Sequence, residues 1–125
     1  MMKIENIIRR VLRESIQIEE LGDGFIEVFI MSGDEVVGDM TLETPDDKHY
    51  MVVMATIKEE FKGRGLYKQA LLELLRVMPN IIIQSAFRSP EAERAWRSLI
   101  KQLPNHIGHR IENILDIEMI SIFNK

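Results

Sequence analysis

Two glycines flanked by two cations stand where an apolar strand pattern gives way to a helical one: Lys62-Gly63-Arg64-Gly65-Leu66-Tyr67. Upstream, Met51 to Ile57 is apolar on both alternating faces, the pattern of a strand covered on both sides of a sheet. Downstream, Leu66 to Leu75 consists largely of good helix formers, with apolar residues three and four apart. A short glycine-bearing turn between such elements points the unpaired N–H groups of the helix start outward, at the positive end of the helix dipole. Together they form a site for an anion such as a pyrophosphate. Gly63 and Gly65 let the backbone approach the anion closely, and Lys62 and Arg64 add charge.

Other reactive residue types are spaced less informatively. His106 and His109 are three apart beside Gly108, near metal-ligand spacing, but no acid or thiol accompanies them at a recognisable interval. A surface loop is expected there, and no metal site. Ser85 and Ser89 lack a paired histidine-and-acid pattern, which argues against a hydrolase triad. Arg88, Arg94, Arg97 and Lys101 give a downstream helix a basic side, read as a solvated face that could, with Arg64, attract phosphates. Met51 and Met54 are expected to fill core gaps.

The elements that would hold these residues can be read in chain order. Lys3 to Glu14 has Ile4, Ile7, Ile8, Val11 and Leu12 on one stripe and predicts an amphipathic helix within residues 1–16. It would pack on its own sheet, or serve as a basic docking tag for a protein partner. A short segment around Ile16 to Leu21 could form a first strand. After the turn Gly22-Asp23-Gly24, Phe25 to Met31 reads as a strand, Ser32-Gly33-Asp34 as a hairpin turn, and Glu35 to Thr44 as the returning strand. In that strand Val36, Gly38, Met40 and Leu42 share one face. With the strand from His49 to Ile57 this gives an antiparallel meander of three strands. The helix from Leu66 to Val77 is stopped at Pro79-Asn80, and Ile81 to Phe87 reads as a buried parallel strand turning polar at its end. A second helix opens at Ser89-Pro90-Glu91, buries Ala92, Ala95, Trp96, Leu99, Ile100 and Leu103, and is ended by Pro104-Asn105. Ile111 to Leu115 and Ile117 to Phe123 close the chain as two strands.

At 125 residues, with 46% hydrophobic and 29% charged side chains, the composition is that of one ordinary globular domain over 1–125. There are no cysteines, which excludes disulfide staples and thiolate chemistry. A net charge of −4 argues against nucleic acid as the main partner. No apolar run approaches the roughly 18 residues that would cross a bilayer, and no secretory core opens the sequence, so a soluble cytoplasmic protein with no membrane partner is expected.

The glycine turn resembles the acetyl-CoA pyrophosphate loop of the GNAT superfamily of N-acetyltransferases. That loop reads Arg or Gln, two residues, Gly, one residue, then Gly or Ala. Lys62 stands at the first position, Gly65 at the central glycine and Tyr67 at the last. A second spacing of that family, Asn, two residues, Ala, three residues, Tyr, is matched by Ser89, Ala92 and Trp96. The likeness covers Phe25 to Phe123, taken as the core over 25–123. It implies an α/β (α+β) fold: a mixed sheet with an antiparallel meander, a βαβ unit, a helix and C-terminal strands, here with an extra N-terminal amphipathic helix. It also implies acetyl-CoA as cofactor, held by the backbone near Thr56 and Ile57, by Lys62, Gly63, Arg64, Gly65, Leu66 and Tyr67, and by Ser89 and Trp96. The implied reaction moves an acetyl group to an amine on a small molecule or a protein.

The sequence also departs from that pattern. Trp96 replaces the tyrosine that often protonates the leaving thiolate, and an indole N–H is a donor but not an acid. Tyr67 puts a ring where a small residue is usual, either narrowing the pocket or packing outward. No carboxylate lies between Tyr50 and Ile57, leaving Glu43, Asp39 and His49 as the nearest candidate bases and the catalytic residue unassigned. The helices that usually shape the amine pocket are missing. The alternative is therefore an inactive member of the fold, a binding or assembly protein that docks through its N-terminal helix.

Overall fold

The structure is a computed structural model describing residues 16–125. The amphipathic helix expected from Lys3 to Glu14 lies outside the described residues. The segment beginning at Ile16 is a strand: β1 (Ile16–Gly22) pairs antiparallel with β2 (Phe25–Ser32), β2 with β3 (Glu35–Glu43), and β3 with β4 (His49–Ile57). The meander thus has four strands rather than three. A 3-10 turn (Glu59–Phe61) leads to α1 (Leu66–Val77), and β5 (Ile82–Ser85) returns parallel to β4. The chain ends with α2 (Pro90–Lys101) and the hairpin of β6 (Ile107–Ile114) and β7 (Ile117–Asn124). Because β7 lies against β5, one mixed seven-stranded sheet forms in the order β1-β2-β3-β4-β5-β7-β6.

Period-two burial builds the core. Ile26, Val28 and Ile30 of β2, with Met40 and Leu42 of β3, are buried in one cluster with Leu71, Leu74 and Leu75 of α1 and Trp96 and Leu99 of α2. The inner stripe of each helix follows the apolar spacing read from sequence. From β7, the Asn124 side-chain amide donates to the Leu75 and Pro79 carbonyls at 3.0 Å each, satisfying the C-terminal end of α1. Among the described residues, no helix is long and apolar enough to cross a membrane.

Two bulges overturn details of the sequence reading. Ile30 faces Gly38 but Met31 faces Val36, so Val37 is an extra residue in β3. Val37 is buried and Val36 exposed, the reverse of the face assigned by strict alternation, because an inserted residue moves the following side chains to the other face. In β4, Thr41 faces Met54 while Leu42 faces Val52, which leaves Val53 extra. Only His49, Tyr50 and Met51 pair with β5. Beyond Met51 the two parallel strands part. Residues 53–56 are exposed, Met54 at 65%, so this half of β4 is uncovered and Met54 does not fill the core. The expected strand over Ile81–Phe87 is also shorter, since Ala86 and Phe87 leave the sheet and Phe87 turns with φ of 52°.

At the far edge, β6 begins at Ile107, four residues before the expected start at Ile111. His109 therefore sits in an edge strand rather than a loop, and Gly108 faces Phe123, whose ring occupies the space a Cβ would need.

Gly38 fixes the approach of β3 to the open end of β4. A Cβ there would fall 2.5 Å from the Thr56 carbonyl oxygen and 2.7 Å from Ile57 Cδ1. The first contact is with backbone, which cannot rotate away. Gly38→Ala is therefore expected to destabilise the fold by about 1–3 kcal/mol through a forced shift of β4, read as a lower urea midpoint at unchanged slope.

Candidate functional site

The two helices begin differently. At α2, the Ser89 hydroxyl oxygen accepts from the Ala92 N–H at 3.1 Å, Pro90 fills the first turn, and Glu91 and Glu93 add negative charge: that start is satisfied internally. At α1, the residue before the helix is Gly65 in the left-handed region, φ of 74°, with no side chain to cap and no acid in the first turn. The first helical bond runs from the Gln69 N–H to the Gly65 carbonyl at 3.0 Å. The amides of Leu66, Tyr67 and Lys68 precede it and lack helical partners, the usual arrangement for receiving an external anion.

Over this helix start lies a cleft of about 380 Å³. Of the residues expected to hold a cofactor, Ile57, Lys62, Gly63, Gly65, Leu66, Tyr67 and Ser89 line it. A second cleft, also about 380 Å³, runs along the uncovered half of β4 from Met51 to Ala55 to the turn between β5 and α2. The two meet at Ala55, Tyr67, Ser89 and Ala92. The parting of β4 from β5 thus opens a channel that continues from the amides of α1.

Three expected residues lie off these walls. Thr56 is opposite Asp39 in the register, whereas its neighbours Ala55 and Ile57 turn toward the cleft, so strand alternation carries the Thr56 side chain away. Arg64 folds back, donating from Nη2 to the Glu60 carbonyl at 3.2 Å and lying 4.7 Å over the Phe61 ring. Trp96 is fully buried. The sequence reading did not assign Phe61, Lys68 or Glu91 to the site, and they line the first cleft with Arg94, one of the basic residues it had named as able to attract phosphates. Lys68 and Glu91 are each within a turn of a motif residue, so helical spacing was the signal that could have found them.

The charges are arranged by their partners. Lys62 Nζ lies 3.2 Å from Glu59 Oε1 and 3.4 Å from Glu91 Oε2, and these carboxylates raise its pKa. Arg88 is not a solvated cation. It donates to Glu93 at 2.8 Å, to Glu118 at 2.9 Å and to the Ser85 carbonyl at 2.6 Å, while Arg97 bonds to the same two acids. Hydrogen bonds from Arg88, then Arg97, hold the Glu93 carboxyl below its usual pKa. This network ties the end of β5, the start of α2 and β7 together, fixing the turn that carries Ser89.

Of the candidate bases, His49 is held away from the clefts. His49 Nδ1 is 2.7 Å from Asp46 Oδ2, at the opposite end of β4 from Thr56. The backbone N–H groups of His49 and Lys48 hold the Asp46 carboxyl down at about 2. The neighbouring Asp39 carboxyl, with burial, raises the Glu27 pKa. Glu43 is exposed at the end of β3. Among the described residues, no three His, Cys, Asp or Glu side chains gather as a metal site.

Two hydrogen bonds join α1 to α2 at the floor of the cleft. Lys68 Nζ donates to Ser98 Oγ at 3.0 Å, and Trp96 Nε1–H donates to Tyr67 Oη at 3.0 Å.

Solved structures share this fold over most of the chain. A protein assigned to the GNAT acetyltransferase family from Bacteroides thetaiotaomicron matches with a TM-score of 0.57 at 16% identity, over 86% of this chain and 65% of that one. The fold is the GNAT fold. An acetyltransferase from Thermus thermophilus matches with a TM-score of 0.59 at 16% identity, over 84% and 67% of the two chains. A PaiA N-acetyltransferase from Thermoplasma acidophilum, in complex with coenzyme A, matches with a TM-score of 0.56 at 11% identity, over 82% and 62%. The chain spans about two thirds of the length of these GNAT-fold proteins or slightly less. No model of a known protein family matches the sequence, and no curated protein does.

Proposed function

We propose that this chain binds acetyl-CoA and transfers its acetyl group to an amine. The observation that carries the reading is the uncapped helix start at Gly65, opening into the channel along the free half of β4. The amides of residues 66–68 would receive the pyrophosphate, with Lys62 and Lys68 at the rim. The free N–H and C=O groups of β4 beyond Met51 would pair with the amides of the pantetheine arm, as one strand pairs with another. Bound acetyl-CoA supplies the activated thioester. The protein's share is placement and the exclusion of water, which alone account for much of the rate when two reactants are held in contact. The acceptor is an amine of a small molecule or a protein. Among GNAT-fold structures, one from Salmonella typhimurium is described as modifying the N-terminal serine of a ribosomal subunit protein, and another is bound to ribostamycin and coenzyme A. Calorimetric titration of the full chain with acetyl-CoA tests the reading, and absence of heat at millimolar cofactor rejects it.

A second reading keeps the fold for binding alone. It is favoured by the engagement of His49 with Asp46, which leaves that candidate base occupied, and by the burial of Trp96. An acetyl-CoA-binding chain with no transfer to any amine in a polyamine and peptide panel would support it.

Glu91 sets a counter-charge on the wall of the anion cleft and competes for Lys62. Glu91→Gln is expected to tighten acetyl-CoA binding by about two- to fivefold, with the gain fading as salt rises, as an exposed charge requires. An unchanged dissociation constant at low salt would place the phosphates elsewhere.

A further inference from the structure

The direction of one hydrogen bond has a chemical consequence. An indole nitrogen can only donate, so in the 3.0 Å contact between Trp96 Nε1 and Tyr67 Oη the phenol oxygen is the acceptor. The proton of Tyr67 is therefore not used in that bond, and Tyr67 has no other hydrogen bond among the described residues. Tyr67 lines both clefts, at the place where the anion pocket passes into the channel along β4. Trp96 is fully buried and cannot swing, which fixes the phenol oxygen in place. A rigidly held hydroxyl with an unspent proton, on a residue that lines a channel, is placed to donate to a group bound there.

We infer that Tyr67 donates its hydroxyl proton to the sulfur of the bound cofactor, supplying the acid that Trp96 cannot. The inference rests on the acetyl-CoA reading above. As the carbon–nitrogen bond to the acceptor forms and the carbon–sulfur bond breaks, the sulfur keeps the bonding electron pair and takes the Tyr67 proton. The acceptor nitrogen loses its extra proton to solvent, and the phenolate recovers one from solvent. Trp96 Nε1–H, already pointed at Oη, stabilises the phenolate while it exists, and so does the positive charge of Arg88. Burial pushes the Tyr67 phenol above its ordinary pKa, against the weaker downward pull of Trp96 and Arg88, so the proton is present at neutral pH.

Free coenzyme A and acetyl-CoA separate this role from mere packing, because a thiolate accepts a hydrogen bond strongly and a thioester sulfur poorly. Calorimetry on the full-length Tyr67→Phe chain is expected to give an acetyl-CoA dissociation constant within about threefold of the unaltered chain. For free coenzyme A above neutral pH the loss should be on the order of tenfold, that of a hydrogen bond to a charged group. Transfer to an amine should slow by about 10- to 100-fold. The chain has one tryptophan, bonded to this hydroxyl, so its emission should respond to coenzyme A in the unaltered chain and not in Tyr67→Phe. Equal losses for the two ligands, or none, would overturn the inference while leaving acetyl-CoA binding intact. Tighter binding of both to Tyr67→Phe would also overturn it, by showing the ring to be an obstruction. If the unaltered chain binds neither ligand, the acetyl-CoA reading itself falls and takes this inference with it.

Discussion

Gly65→Glu is expected to abolish measurable acetyl-CoA binding, a loss of more than about a hundredfold, while the chain stays folded. Gly65 sits at φ of 74°, so any side chain there costs about 1 kcal/mol of backbone strain. Space is not the obstacle, since the nearest atom to an added Cβ is Lys68 Cε at 3.9 Å. The glutamate would be accommodated, and its carboxylate would lie among the amides proposed for the pyrophosphate, repelling it and taking its donors. Gly33→Glu is the matching control. It has φ of 62°, open space around the added Cβ, and a place in the β2–β3 hairpin turn. Both variants should melt a few degrees low, and only Gly65→Glu should lose calorimetric heat. Equal binding by both would remove the helix start from the site.

The largest effect on stability is expected from Trp96→Ala, about 3–5 kcal/mol, from a fully buried ring whose loss leaves a cavity. Trp96 packs in the one core cluster with Leu71 and Leu74 of α1, so its removal loosens both helices where they flank the cleft. The Tyr67 hydroxyl would lose its donor as well, freeing the ring that stands between the two clefts. Against a typical domain stability of about 5–15 kcal/mol, this leaves a chain near its threshold. Urea unfolding followed by far-ultraviolet circular dichroism measures it, since the variant has no tryptophan left to report. A cost below about 1 kcal/mol would mean that α2 is not docked as described.

The elements nearest the glycine turn were the most legible in sequence. The bounds expected for β4 and α1, His49 to Ile57 and Leu66 to Val77, are those observed, because local signals agree there: an apolar run, a glycine turn, then helix formers ended by proline. Ser89 and Pro90 marked the start of α2 for the same reason. What escaped was decided by partners distant in sequence. Ile107 to Arg110 shows no alternation, and it is a strand because β7 pairs with it. The bulges at Val37 and Val53 depend on cross-strand register, which composition does not encode. The apolar run of β4 was read as covered on both faces, and its second half is open. An apolar segment left open to solvent looks, in sequence, like one packed in protein. For the site, the motif positions located the loop, but only the folded chain showed Arg64 turned onto Phe61, Trp96 sealed in the core, and Tyr67 between the clefts.

The most direct test of the anion site is an amide titration by nuclear magnetic resonance, adding acetyl-CoA to the uniformly labelled full chain. The largest shifts are expected at the N–H groups of Gly63 to Lys68, followed by those of Val53 to Ile57 along the open half of β4. Saturable shifts confined to other residues, or no shifts at millimolar cofactor, would contradict a diphosphate seated on the start of α1.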